Sequence, residues 1–304
     1  MSRNPPIPPI LPVRAATAVV AAIVIAAISA GCGVLLPPSV DGLVVATGGP
    51  LQVTDGSGDL VSFDGPPDPV IAVTASDGRV VAATAGGMKT SSGSETPRVW
   101  KDVVLPVGRL TGIPLMAVSP LGKKLALAVG ELQGTSFDLV TVDVGLGTSR
   151  SIRVERGLNG PPAWIGPGIV ALNVIRAGGE SAIATIDVER GAVTDGAIPG
   201  RVVSATITGK VVAVDDPRSG DVLVGDADTT GTGPRDRITR LVGPPGSGVD
   251  SLAISAAGGL LAVVRRTESG SAEIELYRAI EGVWKSARTI QLPGDGPVSI
   301  AWLR

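Results

Sequence analysis

The chain contains no histidine, and among its 304 residues it has one cysteine, two phenylalanines, one tyrosine and four tryptophans. Without histidine the commonest general base and metal ligand is missing. Ser-His-Asp and Cys-His catalysis are excluded, as are His-ligated zinc sites. One cysteine cannot form a disulfide within the chain, so stability must come from packing. So few aromatics leave little material for the stacking platforms that sugar-binding sites display. Basic runs are also absent, and 26 Lys and Arg stand against 28 Asp and Glu. This balance argues against nucleic acid as a partner. No Gly-x-Ser-x-Gly elbow occurs. The glycine-rich stretch Gly243-Pro244-Pro245-Gly246-Ser247-Gly248 lacks the Lys-Ser/Thr of a phosphate-binding loop.

The single cysteine, Cys32, has a telling position. Residues 1–14 carry Arg3 and Arg14 and no acid, and no charged residue occurs from Ala15 to Gly31. Ser29-Ala30-Gly31-Cys32 then places small residues before the thiol. A basic segment, an apolar segment and a small-residue cleavage site form the layout of a secretory signal. The segment resembles a bacterial lipobox, with Ser29 where an aliphatic residue is usual. The resemblance implies a signal peptide over 1–31 that is removed, and a diacylglyceryl group on the Cys32 thiol. Two acyl chains anchor stably where one would not. The competing reading is an uncleaved anchor, since the apolar run extends to Leu36 and is long enough to span a bilayer. Either reading predicts an extracytoplasmic domain held at the cell membrane. Without Arg3 and Arg14 the remainder has 24 basic and 28 acidic residues, a mildly acidic surface.

After a linker over 32–42, the chain alternates short Val/Ile/Leu/Ala runs with Gly, Pro, Asp and Ser turns. This predicts an all-β domain over 43–304. The runs repeat. Val70-Ile71-Ala72-Val73 leads to Ser76-Asp77-Gly78, Met116-Ala117-Val118 to Ser119-Pro120-Leu121-Gly122, and Leu252-Ala253-Ile254 to Ser255-Ala256-Ala257-Gly258. Looser copies centre on Ala163, Ala205 and Ala301. The alanines at 72, 117, 163, 205, 253 and 301 recur at intervals of 42 to 48 residues. A period of 40–50 residues holding several strands is that of β-propeller blades, and a small residue suits the crowded axis where innermost strands converge. The chain ends on an unpaired first strand, Val298 to Leu303, and begins at Leu43 with strands that lack one. The expectation is a six-bladed β-propeller closed by the C-terminal strand, which removes free sheet edges.

The Ala-Val-Ser-Pro-x-Gly-x-x-Leu-Ala pattern at Ala117 and the Pro-Ala-Trp pattern at Pro162-Ala163-Trp164 resemble TolB-type and related WD-like propeller repeats. Similar repeats form the propeller of LpqB-type actinobacterial lipoproteins. The resemblance covers about 43–304 and implies a fold rather than a role.

For chemistry the candidates are thin. Asp215, Asp216, Asp221, Asp226 and Asp228 form the densest acidic stretch. Asp226-x-Asp228-x-Thr230-Gly231 resembles the start of an EF-hand loop, but Arg237 stands where the bidentate Glu belongs. Asp226 and Asp228 are therefore weak calcium candidates, and solvated turn chemistry is the simpler expectation. Trp164 and Trp302 are repeat-equivalent, as are Trp100 and Trp284, which favours packing over a ligand cage. Arg265-Arg266 and Lys123-Lys124 read as solvated. No catalytic residue and no cofactor is expected. The leading expectation is a membrane-anchored module that binds a protein or peptide at the cell envelope. The alternatives are a carboxylate-based glycan hydrolase or lyase, and a small-ligand or metal binder.

Overall fold

The computed structural model describes residues 42–303, apart from 56, 93–96, 106–113, 196–200, 206–210, 216–219, 227–238 and 268; of the side chains at 195, 201–205, 211–215 and 226 nothing is said. Cys32 and the 1–41 segment lie outside the described residues. No helix of the described residues is long and apolar enough to cross a membrane.

Strands β1 (Leu43–Ala46), β2 (Gln52–Thr54) and β3 (Leu60–Ser62) open the domain, followed by β4 (Val70–Ser76), β5 (Arg79–Thr84), β6 (Gly87–Ser91) and β7 (Lys101–Asp102). A third group is β8 (Leu115–Val118), β9 (Lys124–Val129), β10 (Phe137–Asp143) and β11 (Ser149–Val154). The fourth holds the short β12 (Gly157–Leu158) and β13 (Ala163–Trp164), then β14 (Ile169–Ile175), β15 (Ser181–Asp187) and β16 (Ala192–Asp195). The fifth is β17 (Arg201–Ala205), β18 (Val211–Asp215), β19 (Val222–Asp226) and β20 (Thr239–Leu241). The last is β21 (Gly248–Ile254), β22 (Leu260–Arg266), β23 (Ala272–Ile280) and β24 (Val283–Gln291), with β25 (Ser299–Trp302) ending the chain.

These strands make antiparallel sheets in up-and-down order, and β25 joins the first sheet in the order β25-β1-β2-β3. The pairing Leu43↔Trp302 through Ala46↔Ser299 is the closure expected from the orphan strand. The first strands touch in cyclic order: β25 meets β4, β4 meets β8, β8 meets β13, β13 meets β17, β17 meets β21, and β21 returns to β25. Among the described residues six sheets therefore stand around one axis, an all-β propeller. Each repeat alanine lies in a first strand.

The turns explain the repeat sequence. Ser119 and Ser255 each use Oγ to accept from the backbone N–H five residues on, Lys124 at 2.9 Å and Leu260 at 3.1 Å. Their carbonyls accept from Gly122 and Gly258, both at 2.8 Å. Gly122 and Gly258 have φ of 66° and 71°, where a side chain would be strained. The Asp77-Gly78 turn is shorter, with φ of 50° and 70° between the paired Ser76 and Arg79, as a type I′ hairpin requires.

Sheets are tied to one another by the tryptophans. Trp164 Nε1 donates to the Ala117 carbonyl at 2.9 Å, and Trp302 Nε1 to the Ala253 carbonyl at 3.0 Å. Both indoles are buried, and each reaches the repeat alanine of a neighbouring sheet. Trp100 and Trp284 sit instead at outer strands, partly buried at the edges of separate apolar clusters.

The ring has two ends. At the hairpin end first strands turn into second strands and third into fourth. At the crossover end second strands turn into third, and the chain crosses to the next sheet. Most described crossovers carry Gly and Pro: Gly65-Pro66-Pro67, Gly160-Pro161-Pro162, Gly243-Pro244-Pro245 and Gly296-Pro297. Proline restricts the unfolded chain and fixes the loop, so this end is stiff.

Candidate functional site: the central channel and its crossover mouth

A cavity of about 480 Å³ runs along the axis between the first strands, a size suited to a small molecule or an inserted peptide segment. Backbone and small side chains line its depth, including Ala72, Ala117, Ala163, Ala253 and Ala301. Its hydroxyls are partly committed to the ring. Thr74 Oγ1 accepts from Val118 N at 3.1 Å, and Ser76 Oγ donates to the Pro120 carbonyl at 3.0 Å. Ser299 Oγ bridges the N–H and carbonyl of Val73, each at 3.1 Å.

At the crossover mouth the lining becomes irregular. Leu132 is 62% exposed, and Gln133 follows with φ of 62°, a left-handed conformation that is uncommon for a side chain of this size. The β9–β10 loop is fixed there by Gln133 N–H to Leu158 O at 2.8 Å and by a bridge between Leu132 and Leu158. Asn159 anchors beside it, Nδ2 donating to Ser181 Oγ at 2.5 Å. Opposite, the ladder of β21 and β22 shifts between Val249 and Ser251, and Asp250 falls in that bulge. Among the described lining residues Asp250 is the single ionisable one. Its Oδ2 accepts from Arg266 Nη2 at 2.6 Å and Nε at 2.9 Å. Arg266 also donates to the carbonyls of Gly270, Asp295 and Gly296 at 2.8, 2.8 and 2.7 Å. One guanidinium thus fastens Asp250, a second-to-third turn and a crossover loop into one rim. The rim is apolar at Leu132 and Pro161 and polar at the Asp250–Arg266 pair.

Arg265 corrects the expectation that this arginine pair is solvated. It is fully buried, with Nε 2.6 Å from Glu275 and Nη1 donating to Gly220 O at 3.2 Å. Tyr277 donates to the same Glu275 oxygen at 2.8 Å. Burial, with the adjacent Glu275, pushes the Tyr277 hydroxyl up to about 12. Gly243 lies against the guanidinium, which leaves no room for a Cβ. Thus the glycine-rich stretch at 243–248 is a crossover seated on a buried cation. The acidic stretch also needs correction at Asp221, which is buried rather than solvated. Its carboxylate is paired with Arg240, and Gly243 N–H donates to Oδ1 at 3.3 Å. The signal that could have separated Arg265 from Arg266 is strand alternation, which sends neighbours to opposite faces.

Of the calcium candidates, Asp226 ends β19 and Asp228 lies outside the described residues. Among the described residues no group of three or more Cys, Asp or Glu is placed to hold a metal ion.

No protein-family model matches the chain, and no curated protein matches it. Among solved structures it is similar to TolB from Acinetobacter baumannii, at 15% identity over 92% of this chain and 70% of that one, with a TM-score of 0.64. It is also similar to a TolB-type protein from Agrobacterium tumefaciens, at 14% identity over 86% of this chain and 96% of that one, with a TM-score of 0.55. At such identities the likeness is one of fold alone, a β-propeller.

Proposed function

We propose that this chain is a lipid-anchored, extracytoplasmic, six-bladed propeller that binds a protein or peptide at the cell envelope through its crossover end. In this reading residues 1–31 are a lipoprotein signal and Cys32 carries the acyl chains. It is not an enzyme and holds no resident cofactor. The observation that carries the reading is the stiff crossover mouth. It joins an exposed apolar residue, Leu132, to a fixed polar rim at the Asp250–Arg266 pair. Preorganised loops of this kind lower the entropic cost of docking. Glycoside hydrolysis needs two facing carboxylates, and the described lining offers one, already engaged by Arg266. A second reading, a neutral polar small ligand in the channel, is favoured by the volume and by the hydroxyl lining.

The test is site-specific photo-crosslinking in cells of the full chain, with the crosslinker at Leu132 or, for comparison, at Leu121 on the hairpin end. A reproducible protein adduct from position 132, absent from 121 and lost with Asp250→Lys, supports the module. Absence of any adduct from position 132 overturns it. Cys32→Ser should release the protein from membranes if the anchor is lipid, and retention of that variant would overturn the lipidation.

A further inference from the structure

The hairpin end of the ring differs from the crossover end in its lysines, while arginines such as Arg156, Arg176 and Arg266 stand at the crossover end. Lys101, Lys123, Lys124 and Lys285 lie at the hairpin end, while Lys89, in the middle of β6, is tied to Asp102 at 2.6 Å. No described lysine lies at the crossover end.

Exposed aliphatic side chains top the same hairpins. Leu121 is 58% exposed in the β8–β9 turn, immediately before Gly122-Lys123-Lys124. Leu146, 78% exposed, tops the β10–β11 turn. Val283 is 56% exposed beside the Glu281-Gly282 turn, two residues before Lys285, and pairs with the exposed Ile280. These tips belong to the sheets β8–β11 and β21–β24, which stand on opposite sides of the ring.

Several acids at this end are turned into their own hairpins. Asp55 accepts from Ser57 and Asp59 N–H, Asp143 from Gly145 and Leu146 N–H, and Asp187 from Glu189 and Arg190 N–H. Asp59 is held by Arg288, and Glu189 lies 4.0 Å from Lys124. Among the described residues Asp77, Glu281 and Asp226, at the end of β19, also lie at this end. The chain also enters the ring at this end. Gly42, just ahead of β1, donates to Thr54 O and accepts from Leu303 N, and Cys32 stands ten residues before it.

We propose that the hairpin end docks on an anionic lipid surface, with Leu121, Leu146 and Val283 entering the interface and the lysines facing the headgroups. The proposal rests on the membrane-anchored reading, because a tether entering at this end brings these tips to the bilayer. Apolar tips beside lysines suit that boundary, where aliphatic area is buried and cations meet anionic headgroups. Each lysine near such a surface raises partitioning roughly fivefold, so three together act about 100-fold. Docking this end would leave the crossover mouth facing away from the bilayer, open to a partner.

The test uses the full chain as matured in cells, with Cys32 acylated and so unreactive, and one new cysteine, Leu121→Cys, Val283→Cys or Leu132→Cys, labelled with an environment-sensitive fluorophore. Vesicles are pure phosphatidylcholine, or phosphatidylcholine with about one-third phosphatidylglycerol. The expected result is a blue shift at positions 121 and 283 with the anionic vesicles alone, with position 132 unchanged. Reversing Lys123, Lys124 and Lys285 to Glu should abolish the shift while the chain still floats with the vesicles. Co-flotation with the label at 121 still in water overturns the docking face and leaves the tether intact. A shift equal in both vesicle types, or equal at 121 and 132, overturns the role given to the lysines or to this end. A chain that floats with neither vesicle overturns both the docking and the membrane-anchored reading.

Discussion

Trp302 donates its indole N–H to the carbonyl of Ala253, 3.0 Å away and one repeat earlier in the chain. The bond joins the closing strand β25 to the first strand β21 of the sheet before it. Ring closure therefore has a side-chain latch in addition to the backbone ladder of β25 on β1. Trp302→Phe removes the donor and with it the cross-sheet bond, while the Ala253 carbonyl keeps its place in the ladder opposite Ala262. The expected loss is about 0.5–1.5 kcal/mol of stability, read as a lower urea midpoint with an unchanged m-value. Trp164→Phe should behave alike, because it removes the equivalent bond to Ala117.

Arg265 and Glu275 form a buried pair under the Gly243 crossover. Arg265→Ala strands the carboxylate and opens a cavity, an expected loss of about 3–5 kcal/mol. The double substitution Arg265→Met with Glu275→Leu removes both charges and should recover most of that loss. Urea unfolding of the single and double variants checks it. A double variant as weak as Arg265→Ala alone would show that cavity volume, not stranded charge, dominates.

Tyr277 makes stability fall at alkaline pH. Its hydroxyl is raised from 10.0 to about 12 in the folded protein. The protonated form is therefore favoured by folding, and its contribution is complete below pH 10. It is lost as pH rises from 10 to about 12, where the unfolded chain ionises first. The hydroxyl is only half-buried, so solvent screening reduces the effect to roughly 1 kcal/mol. Tyr277→Phe should lower stability at neutral pH and flatten the decline between pH 10 and 12, as urea midpoints across that range would show.

The repeat was legible because it is local. A small residue at the axis, a serine that caps its own turn and a glycine in left-handed conformation each leave a mark in sequence, and Ala117-Ser119-Gly122 and Ala253-Ser255-Gly258 carry all three. The orphan strand at 298–303 was legible because a sheet that lacks one strand must find it elsewhere. The buried ionic pairs were not legible. Arg265 meets Glu275 ten residues away across a ladder, and Gly220 45 residues away across a sheet boundary. Such distances are invisible to a reading of adjacent residues, and a doublet of arginines looks like a solvated face. The mouth was missed for the same reason. Gln133, Asn159 and Asp250 come from three sheets, and none has a motif of its own.

Arg266 should control the stiffness of the mouth more than the stability of the ring. Its five hydrogen bonds reach Asp250 and the carbonyls of two loops, all near the surface. Arg266→Lys keeps one charge but cannot make the forked contact. The expected outcome is faster amide exchange at 268–271 and 294–297, with a loss of global stability of about 1 kcal/mol or less. Hydrogen exchange resolved by peptide would show whether the change stays in those loops.

Gln133 separates strain from function. Its left-handed backbone costs roughly 1 kcal/mol for a residue with a Cβ. Gln133→Gly removes that cost but gives the unfolded chain more freedom, worth about 0.4–1 kcal/mol in the other direction. The two terms nearly cancel, so thermal and urea midpoints should hardly move. Partner recognition should change, because the substitution deletes a side chain lining the channel and loosens the loop that presents Leu132. The crosslinking yield from position 132 is then expected to fall while the fold stays intact. A variant markedly less stable than the parent would show that the loop is held by the Gln133 side chain itself. A variant with unchanged yield would place the recognition surface elsewhere on the ring.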